Sequence, residues 1–390
     1  MRSGGRPEHV VHFLTEIVGW TFLVVSLTGA VYLLLAASVV TRFMAVPTLT
    51  AVEQPSVTLL KPLHFDSPGL ARDLDTFLAQ DYGAPIQIVF GVQDAKDPAI
   101  AIVEHLKVRH PTIDIELVID TRAYGHNAKV SNLINMVERA RNDVIVLSDS
   151  DISVTPDWLS KVVGELLQPG VGAVTCPYTG LAGASAWSTL AAMGTSYDFL
   201  PSVVFGTWWG IAHACLGSTI ALRRTTLAQI GGFEAFRDYL ADDYEMGRAV
   251  RHRGLRIAVL PFAVSHRCTE QSAGDLLSHE LRWSRTIRVL RPFEHFGTLV
   301  TYPIPIALAG MALLGGGFFS IASVMVTIGA RIVLKSSVER AFKTCAGPLW
   351  LMPVRDFISF AVFLLSFFGQ KVAWRGARFE VRPSGAISQL

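Results

Sequence analysis

Carboxylates recur through the polar middle of this chain: Asp94, the run Asp149-Ser150-Asp151, and Asp242-Asp243, followed by His279-Glu280-Leu281-Arg282-Trp283. Two carboxylates one residue apart, directly after the apolar run VIVL, present oxygen ligands at a strand end. Mg2+ or Mn2+ prefers such ligands and shares them with substrate phosphates. The same residues also suit an Asx-rich turn before the next helix, with Asp157 placed to cap it. Lys129, in GHNAKVSNL, enters a helix, where an ammonium near the first amides suits a phosphate. Taken alone, it reads equally as a solvated helix residue. Of Asp242 and Asp243, one serves a helix N-terminus. The other, its pKa raised by the like charge beside it, suits a base acting on a hydroxyl. Arg282 offers a guanidinium for phosphate and Trp283 a flat ring for a sugar or a lipid. Alone, the Arg-Trp pair would pass as a membrane-interface anchor. As an ordered set, these groups suit chemistry on a phosphate-bearing, nucleotide-activated donor.

The elements that must position them alternate. SVTLLKPL, IQIVFGVQD, IDIELVID and DVIVLSDSD read as buried strands, and PGLARDLDTFLAQ, DPAIAIVEHLKVRH and AKVSNLINMVERARN between them read as helices. That alternation predicts an α/β domain, a parallel sheet with helices on both faces. Ligands of such sheets bind beyond the carboxyl ends of the strands, where Asp94 and Asp149 stand. ADDYEMGRAVRHRG reads as a helix ending at Gly254. HELRWSRTIRVLR reads as a basic helix suited to a membrane surface.

Apolar segments flank this domain. Ile17 to Val40 is a run of 24 residues without a charge, more than the roughly 20 needed to cross a bilayer. It is too long for the core of a signal peptide and predicts an uncleaved anchor after an N-terminal tail, 1–16. The catalytic domain is placed at 55–298 and C-terminal membrane segments at 299–370. Within them, Leu299–Leu334 is broken by Gly315-Gly316-Gly317 and reads as a tight pair of short spans, and Leu349–Phe368 reads as a third. A loop with Arg331, Lys335, Arg340 and Lys343, and a basic tail at 371–390, carry the positive charge expected of cytoplasmic segments. Both cannot be cytoplasmic if the last segment crosses fully.

Composition agrees with a membrane-tied enzyme. Hydrophobic residues make up 51% and charged residues 17%, with a mean hydropathy of +0.40. A net charge of +2 gives no electrostatic footing for nucleic acid. Cys176, Cys215, Cys268 and Cys345 are scattered, without zinc-site or disulfide-framework spacing. The ionisable cluster lies outside the spans, unlike a transporter's, and the spans are too few for a good polymer channel.

The set Asp94, Asp149, Asp243 and Arg282-Trp283 resembles the D, D, D, (Q/R)xxRW pattern of membrane glycosyltransferases with a GT-A catalytic domain. LLKPL (59–63), GVQDAKDPAI (91–100), GHNAKVSNL (125–133), LADDY (240–244) and WRGARF (374–379) resemble signatures of ceramide glucosyltransferases. His279 departs from the pattern's Gln or Arg. HELRWSRTIR followed by TYPIPIAL resembles the bacterial branch associated with hopanoid biosynthesis, which moves N-acetylglucosamine to a polyhydroxylated hopanoid. The resemblance implies a Rossmann-like GT-A domain between N- and C-terminal transmembrane helices. It implies an inverting transfer from a UDP-sugar to a membrane lipid, assisted by a divalent metal (Mg2+ or Mn2+), at the cytoplasmic face of an inner membrane. Carried onto this sequence, Asp94 would hold the uridine, Asp149 and Asp151 the metal and diphosphate, and Asp243 would be the base. Arg282 and Trp283 would close over diphosphate and acceptor, with Lys129 and His279 lining the substrates. A hopanoid with N-acetylglucosamine is the first reading, and ceramide with glucose the second.

Overall fold

The computed structural model describes residues 6–51, 53–65, 67–213, 215–374, 377–382 and 384–389. The uncharged N-terminal run lies inside one 39-residue helix, α1 (Arg6–Met44). The segment read as a tail is therefore helical from Arg6 onward. One stripe of α1, including Ala30, Leu33, Ala37 and Val40, is buried, while Val11, Phe13, Trp20, Val24 and Val31 stay exposed. An apolar stripe left uncovered is what a lipid-facing helix presents.

The four expected strands form β1 (Val57–Pro62), β2 (Ile86–Val92), β3 (Asp114–Ile119) and β4 (Val144–Leu147), parallel and ordered β3-β2-β1-β4. Their residues alternate between two cores. Leu59, Ile88 and Phe90 pack with α2 (Leu70–Leu78), α3 (Ala99–Arg109) and Trp158 further along the chain. Leu60 and Val89 pack with Val130 and Leu133 of α4 (Ala128–Val137). Both faces are covered, which is why these strands read as continuous apolar runs. The chain continues through β5 (Ile152–Ser153), α5 (Trp158–Leu166), β6 (Val171–Thr175) and β7 (Tyr178–Ala182). Next come α6 (Ala186–Gly194), a π-helical turn (Thr195–Phe199) and α7 (Leu200–Trp208).

Beyond β4 the sheet is mixed, a feature the alternation did not predict. β8 (Ile220–Arg223) runs antiparallel between β4 and β6, and β9 (Arg256–Val259) lies parallel to β6 at the edge. Between β8 and β9 lie α8 (Arg224–Gln229) and α9 (Asp242–His252). The latter stops just before Gly254, whose φ of 75° ends the helix in the left-handed region. β10 (Val264–Cys268) joins β5 and β7 in a second, three-stranded sheet.

The basic helix is longer than its arginines suggested: α10 spans Ala273–Leu290, capped by Ser272, whose hydroxyl accepts from the Asp275 amide. It is followed by α11 (Pro292–Gly297), α12 (Pro303–Leu313), α13 (Phe318–Phe342) and α14 (Met352–Ser366). Two helical segments form on either side of the glycines, but they are unequal. The glycine break separates an 11-residue α12 from a 25-residue α13, which runs past Leu334 to Phe342. Arg331, Lys335 and Arg340, assigned to a loop, are helical. Arg331 is buried on Asp356 at 2.6 Å and also on Asp198, and Lys335 pairs with Glu339 at 2.5 Å. Paired in this way, charges are tolerated within apolar helices. Among the described residues three helices are long and apolar enough to cross a membrane, or four if α12 and the segment before it, bent by 68°, form one broken span.

The basic tail is also structured. β11 (Lys371–Trp374), β12 (Ala377–Val381) and β13 (Ile387–Gln389) form an antiparallel sheet, with Val372, Phe379, Val381 and Ile387 closing over Leu240. Arg375 and Gly376 of the WRGARF motif lie outside the described residues.

Candidate active site

Seven of the eight residues singled out in the sequence line one cavity of about 790 Å³: Lys129, Asp149, Asp151, Asp243, His279, Arg282 and Trp283. Asp149 and Asp151 follow the carboxyl end of β4, Lys129 sits in the first turn of α4, Asp243 in the first turn of α9, and the last three on α10. Asp94 is the exception. It is exposed beyond the end of β2, where its carboxylate accepts from the Lys96 amide at 2.9 Å, and it does not line the cavity.

Lys129 organises the carboxylates. Its ammonium lies 2.6 Å from Asp149 Oδ1 and 3.5 Å from Asp242 Oδ2. Burial disfavours its charge, but Asp149, Asp242 and Asp243 together outweigh burial and hold it protonated. Lys129, read from the sequence as suited to a phosphate or else as a solvated helix residue, is largely buried and paired with carboxylates. Asp242 is buried and also accepts from Asn127 Nδ2 at 3.3 Å. Asp243 is held differently: Oδ2 accepts from the Gly217 amide at 3.0 Å and Oδ1 from the Tyr244 amide at 2.7 Å. Burial, reinforced by Asp242, pushes its carboxyl up to about 6. A side chain at Gly217 would not fit, because a Cβ there would stand 2.6 Å from Asp149 Oδ2.

Asp151 faces His266 of β10, with Oδ2 3.3 Å from Nε2. Burial works against its charge, yet the imidazole holds the carboxyl below its ordinary value, and His266 is in turn raised well above its own. Its Oδ1 is buried and has no hydrogen-bond partner among the described residues. This orphaned oxygen, beside Asp149 in the cavity wall, is the structural test of the expected metal. No group of three or more His, Cys, Asp or Glu side chains is arranged to hold an ion among the described residues. A cation shared with a diphosphate needs only one or two carboxylates, so Asp149 and Asp151 fit it.

Arg282 has no ion pair and no side-chain hydrogen bond among the described residues, and burial lowers its guanidinium to about 10. A lone, partly desolvated cation beside carboxylates is suited to an incoming anion. Trp283 meets Phe199 and Tyr178 edge-on, at centroid distances of 5.8 and 6.4 Å. His279 lies edge-on to Trp283 at 5.4 Å, and its Nδ1 is 2.6 Å from Glu270 Oε1.

Four further residues belong to this arrangement. Lys61, in the LLKPL run, is fully buried beneath the site, where it donates to Ser148 Oγ at 3.2 Å and to the Asp149 carbonyl. Burial brings its ammonium down to about 7. A lysine inside an apolar strand was a signal open to sequence reading. His266, Tyr178 and Gly217 gave none, because β7, β10 and the turn before β8 meet the carboxylates only through tertiary pairing.

Residues 21–387 match Glycosyl transferase family 21. Ceramide glucosyltransferase 1 of Caenorhabditis elegans is 24% identical over 352 residues, 85% of this chain and 73% of that protein. An N-acetylglucosaminyltransferase of Bradyrhizobium diazoefficiens is 24% identical over 254 residues, 60% of this chain and about half (49%) of that protein. Among solved structures, a mannosyltransferase from Pyrobaculum calidifontis in complex with GDP-Man and Mn2+ superposes with a TM-score of 0.53 at 19% identity, covering 91% of this chain and 99% of that one. The fold is thus GT-A-like, with apolar helices at both ends, and the family is one of sugar-transferring enzymes.

Proposed function

The chain belongs to glycosyl transferase family 21, and on that footing we propose that it moves a hexose from a UDP-sugar to a hydroxyl of a membrane lipid, with inversion. N-acetylglucosamine and a hopanoid such as bacteriohopanetetrol are the favoured pair. The bacterial N-acetylglucosaminyltransferase relative and His279 in place of Gln or Arg support it. Ceramide with UDP-glucose is the second reading, supported by the longer match to a ceramide glucosyltransferase. The observation that carries the proposal is the cavity itself, walled both by the carboxylates and Arg282 and by α1 and α7 residues of the apolar helices.

In this mechanism the acceptor hydroxyl oxygen attacks the anomeric carbon while the bond from that carbon to the diphosphate breaks. The hydroxyl proton passes to Asp243, whose raised pKa suits a base near neutral pH. Arg282 meets the charge growing on the departing UDP. Lys129 keeps Asp149 and Asp242 in place and limits the repulsion among three carboxylates. Asp149 and Asp151 would hold a divalent cation, which supplies charge neutralisation of the diphosphate. Asp94, outside the cavity, is left with the nucleoside. The catalytic domain lies on the cytoplasmic side of an inner membrane, where UDP-sugars are made.

Purified protein should be incubated with UDP-N-acetylglucosamine or UDP-glucose and with bacteriohopanetetrol or ceramide, and the lipids weighed by mass spectrometry. An N-acetylhexosamine adduct of the hopanoid is expected. A hexose adduct of ceramide alone would select the second reading, and no lipid adduct with any pair would reject both.

A further inference from the structure

The apolar-helix side of the cavity contains a polar pair with no part in the displacement itself. Tyr32 of α1 and Ser202 of α7 both line the cavity, and their hydroxyl oxygens are 3.0 Å apart. The direction of that bond is fixed by a second one. Ser202 Oγ donates its only proton to the Asp198 carbonyl at 2.7 Å, so Tyr32 must donate to Ser202. The phenol oxygen then keeps its lone pairs, and no described residue donates to them. The ring is held by Phe205, edge-on at 5.1 Å, so the oxygen is not free to swing away. Val203, Phe205 and Val300 line the cavity with it, and the charges of Arg331 and Asp198 lie near enough to act on the phenol. A hydrogen-bond acceptor fixed in a cavity wall with no protein donor selects a ligand that brings one, because a ligand without a donor leaves it unpaired.

We propose that Tyr32, oriented by Ser202, is a second recognition point for the acceptor lipid, accepting a hydrogen bond from a headgroup hydroxyl or amide N–H other than the hydroxyl that receives the sugar. This rests on the lipid-acceptor reading above. It narrows the substrate class to lipids whose headgroup carries at least two donors, and excludes efficient use of a lipid whose only donor is the reacting hydroxyl. Both bacteriohopanetetrol and ceramide meet the requirement; diacylglycerol does not.

The test compares kcat and KM for bacteriohopanetetrol, ceramide and diacylglycerol in the wild type, Tyr32→Phe and Ser202→Ala, with the KM for the UDP-sugar as control and the melting temperature in detergent as a check on folding. The wild type should prefer the better multi-donor lipid to diacylglycerol. In Tyr32→Phe that preference should shrink about tenfold, through the lipid KM, as expected when one hydrogen bond in a desolvated site is unmade. Ser202→Ala frees the phenol proton and keeps the ring, so it should lose less. An unchanged preference in a folded Tyr32→Phe protein, or a wild type that uses diacylglycerol equally well, would overturn the subsite while leaving lipid transfer standing. Failure of the wild type with every lipid would overturn both.

Discussion

Asp242 and Asp243 are adjacent in sequence and differ in surroundings. Both line the cavity, but Asp242 is buried against Asn127 and Lys129, whereas Asp243 is half-buried, is held by the Gly217 and Tyr244 amides, and has its carboxyl pushed up to about 6 by burial. Asp243→Asn should therefore lower kcat by about 10²- to 10⁴-fold, the usual weight of a positioned base, while UDP-sugar binding, followed by calorimetry, persists. Essential Asp242 with dispensable Asp243 would reverse the assignment. The base acts as a carboxylate, and burial raises its pKa. Turnover should thus be full above pH 7 and fall as the pH drops through about 6; a profile flat down to pH 5 would exclude Asp243 as the base. Asp151→Asn should raise the Mn2+ concentration needed for half-maximal UDP binding by at least about tenfold, since a cation held by one or two carboxylates loses half its protein charge. Binding of UDP indifferent to Mn2+ and to this substitution would remove the metal from the account.

At the scale of elements, α10 is the hinge between chemistry and membrane. It carries His279, Arg282 and Trp283 toward the cavity, while the intervening Glu280 pairs with Arg355 of α14 at 2.8 Å. Arg355 also reaches Asp198, at 3.3 Å, and Asp198 shares Arg331 of α13 with Asp356. A buried ionic network thus links the helix of the Arg-Trp pair to two apolar helices. Breaking such a pair strands a buried charge, so Arg355→Met should cost about 3–5 kcal/mol, read as a fall in melting temperature in detergent. Arg355→Met with Glu280→Gln should recover part of it. Equal loss in the single and double variants would deny the coupling. The sequence shows Arg355 and Asp356 only as interruptions of a span, because their partners lie far away along the chain. The same limit hid the use of the basic run: Arg285 donates to the Phe368 and Lys371 carbonyls at 2.9 and 2.7 Å, and Arg288 to Gly369 at 2.8 Å. These arginines satisfy carbonyls beyond the end of α14. The strands β1, β2 and β4 were legible as buried, mostly apolar runs, whereas β3, expected to be buried like them, is the half-exposed edge strand. β8 and β10 are short and mixed in pattern, so their pairings had no local signature.

Taken whole, the molecule sets a polar sheet edge against a bundle of apolar helices, with one cavity reaching both. Much of the site could be read from the chain, since Asp149, Asp151, Asp243 and Arg282-Trp283 sit at element ends fixed by local pattern. The membrane half of the cavity could not, because Tyr32 and Ser202 are unremarkable within their apolar runs. The central claim is that a donor sugar passes across this cavity to a lipid hydroxyl with Asp243 taking the proton. The most direct measurement follows UDP-N-acetylglucosamine with the protein in vesicles containing bacteriohopanetetrol, recording UDP release, lipid-bound sugar and anomeric configuration by NMR, in the wild type and Asp243→Asn. The account predicts one lipid-bound β-linked sugar per UDP released in the wild type, and both products formed at least about 10²-fold more slowly in Asp243→Asn. Free sugar in place of glycolipid, an α-linked product, or undiminished glycolipid from Asp243→Asn would contradict it.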